Sequence, residues 1–341
     1  MNPVAPPTNA ADRFQNEPTD PTIVTAMDPL AYEMVDVGDG VELEVSITNR
    51  GGERGLALLL HGFPELAFSW RYQIDRLAAI GYEVWAPNTR GYGNSSKPSK
   101  VADFAMDRLL ADIATLIVRS GHDRVILVGH DWGAVQAWMF AARQVRPLER
   151  LVIMNVPHPE CMQRELRKFR QLRKSWYIFF FQIPWIPEKL LTARNAKGVA
   201  DAFTGMAVDT TRFPDEVTDV FRQGALRPGA MRSMINYYRA AARGLRKQRN
   251  ETIAKIETPT LMIWGLEDTA LGKQTTEGTD EFVDDLTLRY LPDVSHWVQQ
   301  EAPETVNAML AAWLDGGPVP EATEIQVERL TDPALGNAPR V

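Results

Sequence analysis

A strand, a tight turn and a helix are encoded in sequence by Gly129-His130-Asp131-Trp132-Gly133-Ala134 and its flanks. The apolar run Val125-Ile126-Leu127-Val128 precedes this stretch, and apolar residues at helical spacing follow it. Small residues on both sides let such a turn close sharply, so that its central side chain is exposed at the carboxyl edge of a sheet. That position usually carries a serine nucleophile. Here it carries Asp131.

An aspartate at this position changes the chemistry that the site can perform. A carboxylate needs no base to activate it, and it displaces a leaving group from saturated carbon to form an ester. Epoxides and alkyl halides are therefore the expected substrates, whereas serine-type esterase activity is disfavoured. Turnover then requires a base that activates water, an acid that orients the base, and donors for an oxyanion.

The pattern around the turn predicts an α/β fold with a mostly parallel, doubly wound sheet. Predicted strands cover residues 41–45, 56–60, 82–86, 125–128, 151–154, 260–264 and 286–290, with helical patterns between them. A helical block at residues 158–255 interrupts the alternation and is expected to cover the ligand-binding edge of the sheet as a lid. The predicted core is residues 31–157 and 256–316, with a flexible arm at 1–30 and a loosely packed tail at 317–341.

Composition narrows the class of protein. The 341 residues are 45% hydrophobic and 24% charged, which suits one globular domain carrying an insertion. A net charge of −7 argues against nucleic acid as a partner, and Cys161 is the only cysteine, so no intrachain disulfide forms.

The first 27 residues do not resemble a signal peptide, and the apolar segment 176–191 is too interrupted to span a membrane. A cytoplasmic location is therefore expected.

Candidates for the base and its acid follow the last two predicted strands. His296 lies in Asp293-Val294-Ser295-His296-Trp297, and Asp268 ends Trp264-Gly265-Leu266-Glu267-Asp268. Both sites fall at the same sheet edge as the nucleophile, in the chain order nucleophile, acid, histidine. Position alone leaves Glu267 as a second candidate for the acid.

Backbone N–H groups are the expected oxyanion donors. One is that of Trp132, directly after the nucleophile, and the other is that of Phe63 in His61-Gly62-Phe63-Pro64, where a cis peptide bond before Pro64 is plausible. His61 and His130 are interpreted as structural hydrogen-bonding residues.

Taken together, the motifs resemble the epoxide hydrolases of the α/β-hydrolase fold, among them the C-terminal domain of the mammalian soluble epoxide hydrolase. The resemblance covers roughly residues 30–315. The matching stretches, in order, are His61-Gly62-Phe63-Pro64-Glu65, Ser69-Trp70-Arg71-Tyr72-Gln73, Arg90-Gly91-Tyr92-Gly93, Gly129-His130-Asp131-Trp132-Gly133, Asn155-Val156-Pro157-His158-Pro159, Asn236-Tyr237-Tyr238-Arg239 and Asp293-Val294-Ser295-His296-Trp297.

The resemblance implies further roles. It places the acid at Asp268, and it implies two lid tyrosines that hold the epoxide oxygen, which match Tyr177 and Tyr238. Trp70, in a matching stretch, is a candidate substrate-binding residue beside Phe63 and Trp132. The sequence departs from many relatives at Asn88, where they carry Asp.

The expected function is conversion of an epoxide and water to a vicinal diol through an ester on Asp131, with a small apolar epoxide as substrate. The alternative is a haloalkane dehalogenase, for which Trp176 or Trp185 would supply a halide donor. A ligand-binding protein without turnover is disfavoured by the complete Asp131, Asp268 and His296 set. No cofactor or metal is expected. The aromatic segment 176–185 suggests an apolar substrate or, alternatively, a membrane-surface contact or a homodimer interface.

Overall fold

The computed structural model describes residue 28, residues 30–248 and residues 253–325. The predicted N-terminal arm, apart from Asp28 and Leu30, lies outside the described residues, as does the end of the tail at 326–341. No helix in the described part of the chain is both long enough and apolar enough to cross a bilayer.

Within the described residues, eight strands form one sheet in the order β1-β2-β4-β3-β5-β6-β7-β8. The strands are β1 (Tyr32–Gly38), β2 (Val41–Thr48), β3 (Leu56–Leu60), β4 (Glu83–Asn88), β5 (Val125–His130), β6 (Arg150–Met154), β7 (Thr260–Gly265) and β8 (Leu286–Leu291). β1 and β2 pair antiparallel to each other, and β2 pairs antiparallel to β4. All pairs from β4 to β8 are parallel. The predicted doubly wound α/β sheet is confirmed.

Eleven α-helices lie between residues 71 and 314 of the described part of the chain, and residues 322–325 are also helical. They are α1 (Arg71–Ala79), α2 (Met106–Ser120), α3 (Trp132–Ala142), α4 (Pro159–Glu165), α5 (Phe169–Lys174), α6 (Trp176–Phe180), α7 (Ile186–Thr204), α8 (Asp215–Leu226), α9 (Ala230–Gln248), α10 (Val298–Glu301) and α11 (Pro303–Leu314). α7 is interrupted by non-helical backbone at residues 193–196.

Both faces of the sheet are covered, which is why its central strands are continuously apolar. On β5, Val125 and Leu127 pack with α2 and α3, whereas Ile126 and Val128 point to the opposite face and pack with α1 and α11. The period of two along the strand therefore supplies two separate cores.

Six helices, α4 to α9, lie between β6 and β7 and form the lid. A third apolar cluster joins lid residues such as Phe203, Phe221 and Tyr238 to Trp132 and Trp297, which follow strands of the sheet. The lid is thus fastened over the carboxyl ends of the strands by aromatic packing.

Two regions differ from the sequence expectation. β1 was not predicted as a strand; it is a half-exposed edge strand that pairs, among the described strands, with β2 alone. The expectation of a loosely packed tail is wrong for its first residues, since Val319, Ala322 and Ile325 are buried against the core. The Arg289 guanidinium on β8 also donates to the Val319 carbonyl at 2.7 and 3.0 Å, which fixes this segment on the sheet edge.

Candidate active site

The turn after β5 places Asp131 at the carboxyl edge of the sheet. Asp131 has φ 46° and ψ −122°, a conformation that L-residues rarely adopt. Its neighbours must be small: a Cβ at Gly133 would lie 1.9 Å from the Leu60 carbonyl oxygen, and one at Gly129 would lie 2.6 Å from the Gly133 oxygen. The predicted reason for the small residues, a sharp strand-to-helix turn, therefore matches the packing.

The loop after β3 lies against the carboxylate. A Cβ at Gly62 would come within 2.2 Å of the Asp131 Cβ, so only glycine permits this approach. The Phe63 N–H donates to Asp131 Oδ1 at 2.7 Å, and the Phe63–Pro64 peptide is cis. Within the described residues the Trp132 N–H makes no hydrogen bond to Asp131, so its role as second donor stays a prediction.

His296 connects Asp131 to Asp268. Its Nε2 lies 3.5 Å from Asp131 Oδ2, and its Nδ1 lies 2.7 Å from Asp268 Oδ2. Asp268 Oδ1 accepts two backbone N–H bonds at 2.8 Å, from Ala270 and Leu271, which aims its other oxygen at the imidazole. Glu267, the other sequence candidate for the acid, is exposed. The structure therefore brings together the three residues that the sequence singled out.

The electrostatics of this triad are set by two buried carboxylates around one imidazole. Burial alone lowers the pKa of His296, but the Asp268 charge and the hydrogen bond to Asp131 raise it to about 10. Burial raises the pKa values of Asp131 and Asp268, yet contacts with His296 outweigh this effect and lower both. The free site at neutral pH therefore holds two carboxylates and an imidazolium.

Asn155 is a further hydrogen-bond partner of Asp268, and the sequence analysis did not identify it. Its Nδ2 donates to Asp268 Oδ2 at 2.8 Å, and its Oδ1 accepts the Gly265 N–H at 3.0 Å. The available signal was position, since Asn155 directly follows β6 and so lies at the same edge, between the nucleophile and the acid.

A buried pair, Glu65 and His130, connects two loops of the site. Glu65 Oε2 contacts His130 Nδ1 at 2.7 Å and accepts the Gly62 N–H at 2.8 Å. The other His130 nitrogen, Nε2, donates to the His296 carbonyl at 2.8 Å. Burial opposes the charge of Glu65, but His130 more than offsets it and lowers the pKa of Glu65. The pair ties the Phe63 loop to the His296 loop.

His61 also has a structural role. Its Nδ1 lies 2.9 Å from the Gly62 carbonyl and its Nε2 accepts the Thr89 N–H at 3.1 Å. Burial lowers its pKa to about 4, so it stays neutral. The interpretation of His61 as a hydrogen-bonding residue agrees with these contacts.

Tyr177 on α6 and Tyr238 on α9 face the carboxylate from the lid. Their ring centroids lie 6.0 Å apart at 86°, and both line the cavities that contain Asp131. Burial and the Asp131 charge raise both pKa values above the usual range of a tyrosine, so both stay protonated. The neighbouring Tyr237 differs, because its hydroxyl donates to the Arg90 carbonyl at 2.8 Å.

Two cavities meet at Asp131 and the tyrosine pair. One, of about 250 Å³, is enclosed mainly by apolar residues, including Val135, Met162 and Leu271. The other, of about 320 Å³, is lined by His296, by the apolar residues Phe180, Leu191 and Met206, and by Lys174 and Trp176. A molecule placed at the carboxylate therefore has apolar space on both sides.

Three tryptophans named from the sequence lie away from the carboxylate. Trp70 is fully buried in the core under α1 and lines neither cavity, so the expectation that it binds substrate is corrected. Trp176 lines the outer part of the second cavity but is 62% exposed, and Trp185 is 61% exposed. Trp132 remains at the site: it directly follows Asp131, and its ring centroid lies 5.0 Å from that of Tyr238.

In residues 30–248 and 253–325, no three histidine, cysteine or acidic side chains are grouped so that they could hold a metal ion.

Comparison with known proteins gives consistent matches across most of the chain. A family model described as the alpha/beta hydrolase fold matches residues 57–303. The chain is 35% identical over 292 residues to the AB hydrolase superfamily protein YfhM of Bacillus subtilis, covering 84% of this chain and 99% of that protein. It is 36% identical over 265 residues to epoxide hydrolase 3 of Xenopus tropicalis, covering 76% of this chain and 71% of the relative.

Solved structures give the same picture. The crystal structure of Bacillus megaterium epoxide hydrolase in complex with an inhibitor matches with a TM-score of 0.76 and 29% identity. This match covers 83% of the present chain and all of that one.

Proposed function

The chain belongs to the epoxide hydrolases of the α/β-hydrolase fold, and we propose that it hydrolyses epoxides to vicinal diols through a covalent ester on Asp131. The observation that carries the proposal is the two-sided environment of this carboxylate. The Phe63 N–H holds Oδ1, while Tyr177 and Tyr238 stand opposite as neutral O–H donors. A nucleophile and two acids thus flank one apolar space.

In the first step Asp131 Oδ2 attacks an epoxide carbon and the carbon–oxygen bond of the ring breaks. Negative charge develops on the departing oxygen, and a phenol positioned there donates its proton. Burial and the Asp131 charge raise the pKa of Tyr238, and its contact with the Trp132 side chain lowers that pKa by less. This leaves the Tyr238 proton available for the substrate.

The second step follows from the charge change on Asp131. Esterification neutralises Asp131, one of the two carboxylates that raise the pKa of His296, so the imidazolium releases its proton to the phenolate formed in the first step. Neutral His296 then takes a proton from water, which attacks the Asp131 carbonyl. The oxyanion formed on Oδ1 is held by the Phe63 N–H and, we propose, by that of Trp132. Collapse then breaks the bond between Cγ and Oδ2 of Asp131, the departing diol oxygen takes the second proton of the added water, and the site returns to a carboxylate and an imidazolium.

The two cavities support a substrate with apolar groups on both sides of the epoxide ring. Each cavity meets the carboxylate, and the walls of both are mainly aliphatic or aromatic. Burial of such groups contributes roughly 25 cal/mol per Å² of apolar area. A ring carrying two apolar arms therefore gains from both cavities, whereas a singly substituted ring gains from one.

The test is a single turnover in ¹⁸O-water with excess enzyme over a disubstituted aryl or alkyl epoxide. We expect a diol, and we expect the label in the peptide that contains Asp131, because water attacks the ester carbonyl. An Asp131→Asn variant, with the same shape but no charge, is the matched control and should give neither. Label found in the diol alone after the first turnover would overturn the ester mechanism.

The same preparation should be given alkyl halides. Neither of the tryptophans expected to bind halide supports a dehalogenase: Trp185 lines neither cavity, and Trp176 is largely exposed. If the protein released halide from alkyl halides but formed no diol from epoxides, the proposed activity would be wrong and the chain would be a dehalogenase.

We also propose a cytoplasmic location. It is supported by the single cysteine, Cys161, which is buried and free. Fractionation of the native host would test it, with recovery in the extracytoplasmic fraction as the contrary result.

A further inference from the structure

The lid carries a charge opposite to that of the molecule as a whole. Residues 164–174 include six basic residues and one acidic residue, in a chain whose net charge is −7. The acidic residue, Glu165, is buried, and its Oε1 forms an ion pair with Lys168 Nζ at 2.7 Å. Arg167, Arg170 and Arg173 are exposed, and none of them contacts a carboxylate within the described residues. These three cations are therefore free to bind an external anion.

Large apolar side chains are exposed beside these cations. Phe169 on α5 is 79% exposed, Phe179 on α6 is 59% exposed, and Trp185, at the start of α7, is 61% exposed. Six exposed residues between the end of α4 and the start of α7 are called the lid patch: Arg167, Phe169, Arg170, Arg173, Phe179 and Trp185. Exposed apolar groups of this size mark surfaces that contact another phase or another molecule.

We propose that the lid patch docks on an anionic phospholipid bilayer. Aromatic side chains lie favourably at the level of the headgroups, and flanking arginines gain from the negative surface potential. The combination of apolar residues with Lys and Arg is that of segments lying in the membrane interface. A homodimer is the competing occupant. A two-fold contact through this patch would set the three arginines against those of the second copy, which disfavours it.

The site and the patch are continuous. Lys174, the residue after Arg173, lines the second cavity together with Trp176, and Trp176 is also 62% exposed. The cavity therefore reaches the surface next to the patch. If the proposed function holds, an apolar epoxide dissolved in the bilayer would enter here; the docking itself does not depend on that function.

The experiment is flotation of the full chain with vesicles, without substrate. We expect binding to phosphatidylcholine vesicles that contain phosphatidylglycerol and little binding to pure phosphatidylcholine. Raising the salt from about 0.15 M to about 1 M should release the protein, since the screening length falls from about 8 Å to about 3 Å. The triple variant Arg167→Glu/Arg170→Glu/Arg173→Glu should bind at least about a hundredfold more weakly, because each cation near such a surface contributes roughly fivefold.

Matched controls use equally exposed residues elsewhere. The triple variant Arg76→Glu/Arg119→Glu/Arg146→Glu makes the same change of charge on other parts of the molecule and should bind far better than the lid triple. For the apolar residues, Phe169→Ser/Phe179→Ser/Trp185→Ser should lose binding, whereas Val118→Ser on α2, exposed to 56%, should retain it. Unchanged thermal unfolding of each variant shows that it is folded.

Three results would overturn the proposal. One is failure of the wild-type chain to bind anionic vesicles. Another is equal loss of binding in the lid triple and the control triple, which would mean that total charge alone matters. The third is a wild-type dimer that the serine variant converts to monomers, which would show that a second copy covers the patch.

Discussion

The sheet edge and the lid contribute to the same site in opposite ways. At the sheet edge the carboxylate of Asp268 accepts from Asn155, Ala270, Leu271 and His296, so both of its oxygens are engaged. On the lid, the Tyr177 hydroxyl makes no hydrogen bond to another described residue. The sheet edge therefore holds fixed charges, and the lid holds donors that are left for the substrate.

This difference follows from the cost of burying each kind of group. A buried carboxylate is tolerated only when it is paired and hydrogen-bonded, so the groups around it must be complete before substrate arrives. A neutral phenol costs less free energy to bury, so its hydroxyl can stay without a hydrogen-bond partner until substrate binds. The chemistry that involves ions is thus expected to depend on the sheet, and the stabilisation of the leaving oxygen on the lid.

The largest effect is expected from His296→Gln at the sheet edge. Glutamine keeps a hydrogen-bonding group but cannot take a proton from water, so steady-state turnover should fall by roughly 10⁴-fold or more. The first step needs no base, so the ester should accumulate and add the mass of one epoxide to the protein. Mass spectrometry of the variant after incubation with substrate measures this.

Peptide mapping should locate that adduct on the segment containing Asp131. The double variant Asp131→Asn/His296→Gln is the control and should show no added mass. A His296→Gln protein that turns over epoxide at the wild-type rate would show that another group activates the water.

A smaller effect, roughly 10²- to 10⁴-fold on turnover, is expected from Asp268→Asn, which removes the charge that orients His296 and favours its protonated form.

The same variant should change how stability depends on pH. The pKa of His296 is raised from 6.5 to about 10 in the folded chain, so the stability that the charged imidazole contributes is complete below pH 6.5 and is lost as the pH rises toward 10. The difference in unfolding free energy between wild type and variant should therefore narrow over that range. Urea unfolding at several pH values measures it, and a constant difference would contradict the raised pKa.

The difference between the sheet edge and the lid also explains which site residues could be predicted from the sequence. Asp131, Asp268 and His296 each follow an apolar strand pattern, and parallel strands end at one edge, so the residues and their proximity were readable. Asn155 follows a strand in the same manner but was not assigned a role, because an amide gives no chemical signal of its own. Its contact with Asp268 became visible only in the structure.

The lid offered no comparable pattern. Tyr177 lies on α6, a helix of five residues, too short for a periodic signal, and both tyrosines were identified only through the family resemblance. The resemblance also gave Trp70, which the structure places in the core, since a matching motif does not tell a buried residue from one that lines a cavity. The tail was missed because Val319, Ala322 and Ile325 are too few to form a clear pattern.

On the lid side, Tyr177→Phe and Tyr238→Phe should each slow ester formation, by roughly 10- to 100-fold, and the double variant should be slower than either. The remaining phenol still donates to the same oxygen in each single variant, which limits its loss. Rapid-quench measurement of the ester in the His296→Gln background isolates this step. Ester formation at the unreduced rate in the double variant would show that neither tyrosine acts on the epoxide.

The smallest effect on turnover is expected from Tyr237→Phe, one residue from Tyr238 on the same helix. The Tyr237 hydroxyl donates to the buried Arg90 carbonyl at 2.8 Å and is already satisfied within the protein. Its loss should leave ester formation within about twofold of wild type but lower the unfolding free energy by about 1 kcal/mol, as for a typical buried hydrogen bond. Urea unfolding and the same quench assay give both quantities. Because the two tyrosines share one helix and one chemistry, a Tyr237→Phe variant as slow as Tyr238→Phe would mean that helix position, and not a free hydroxyl, governs the lid's contribution.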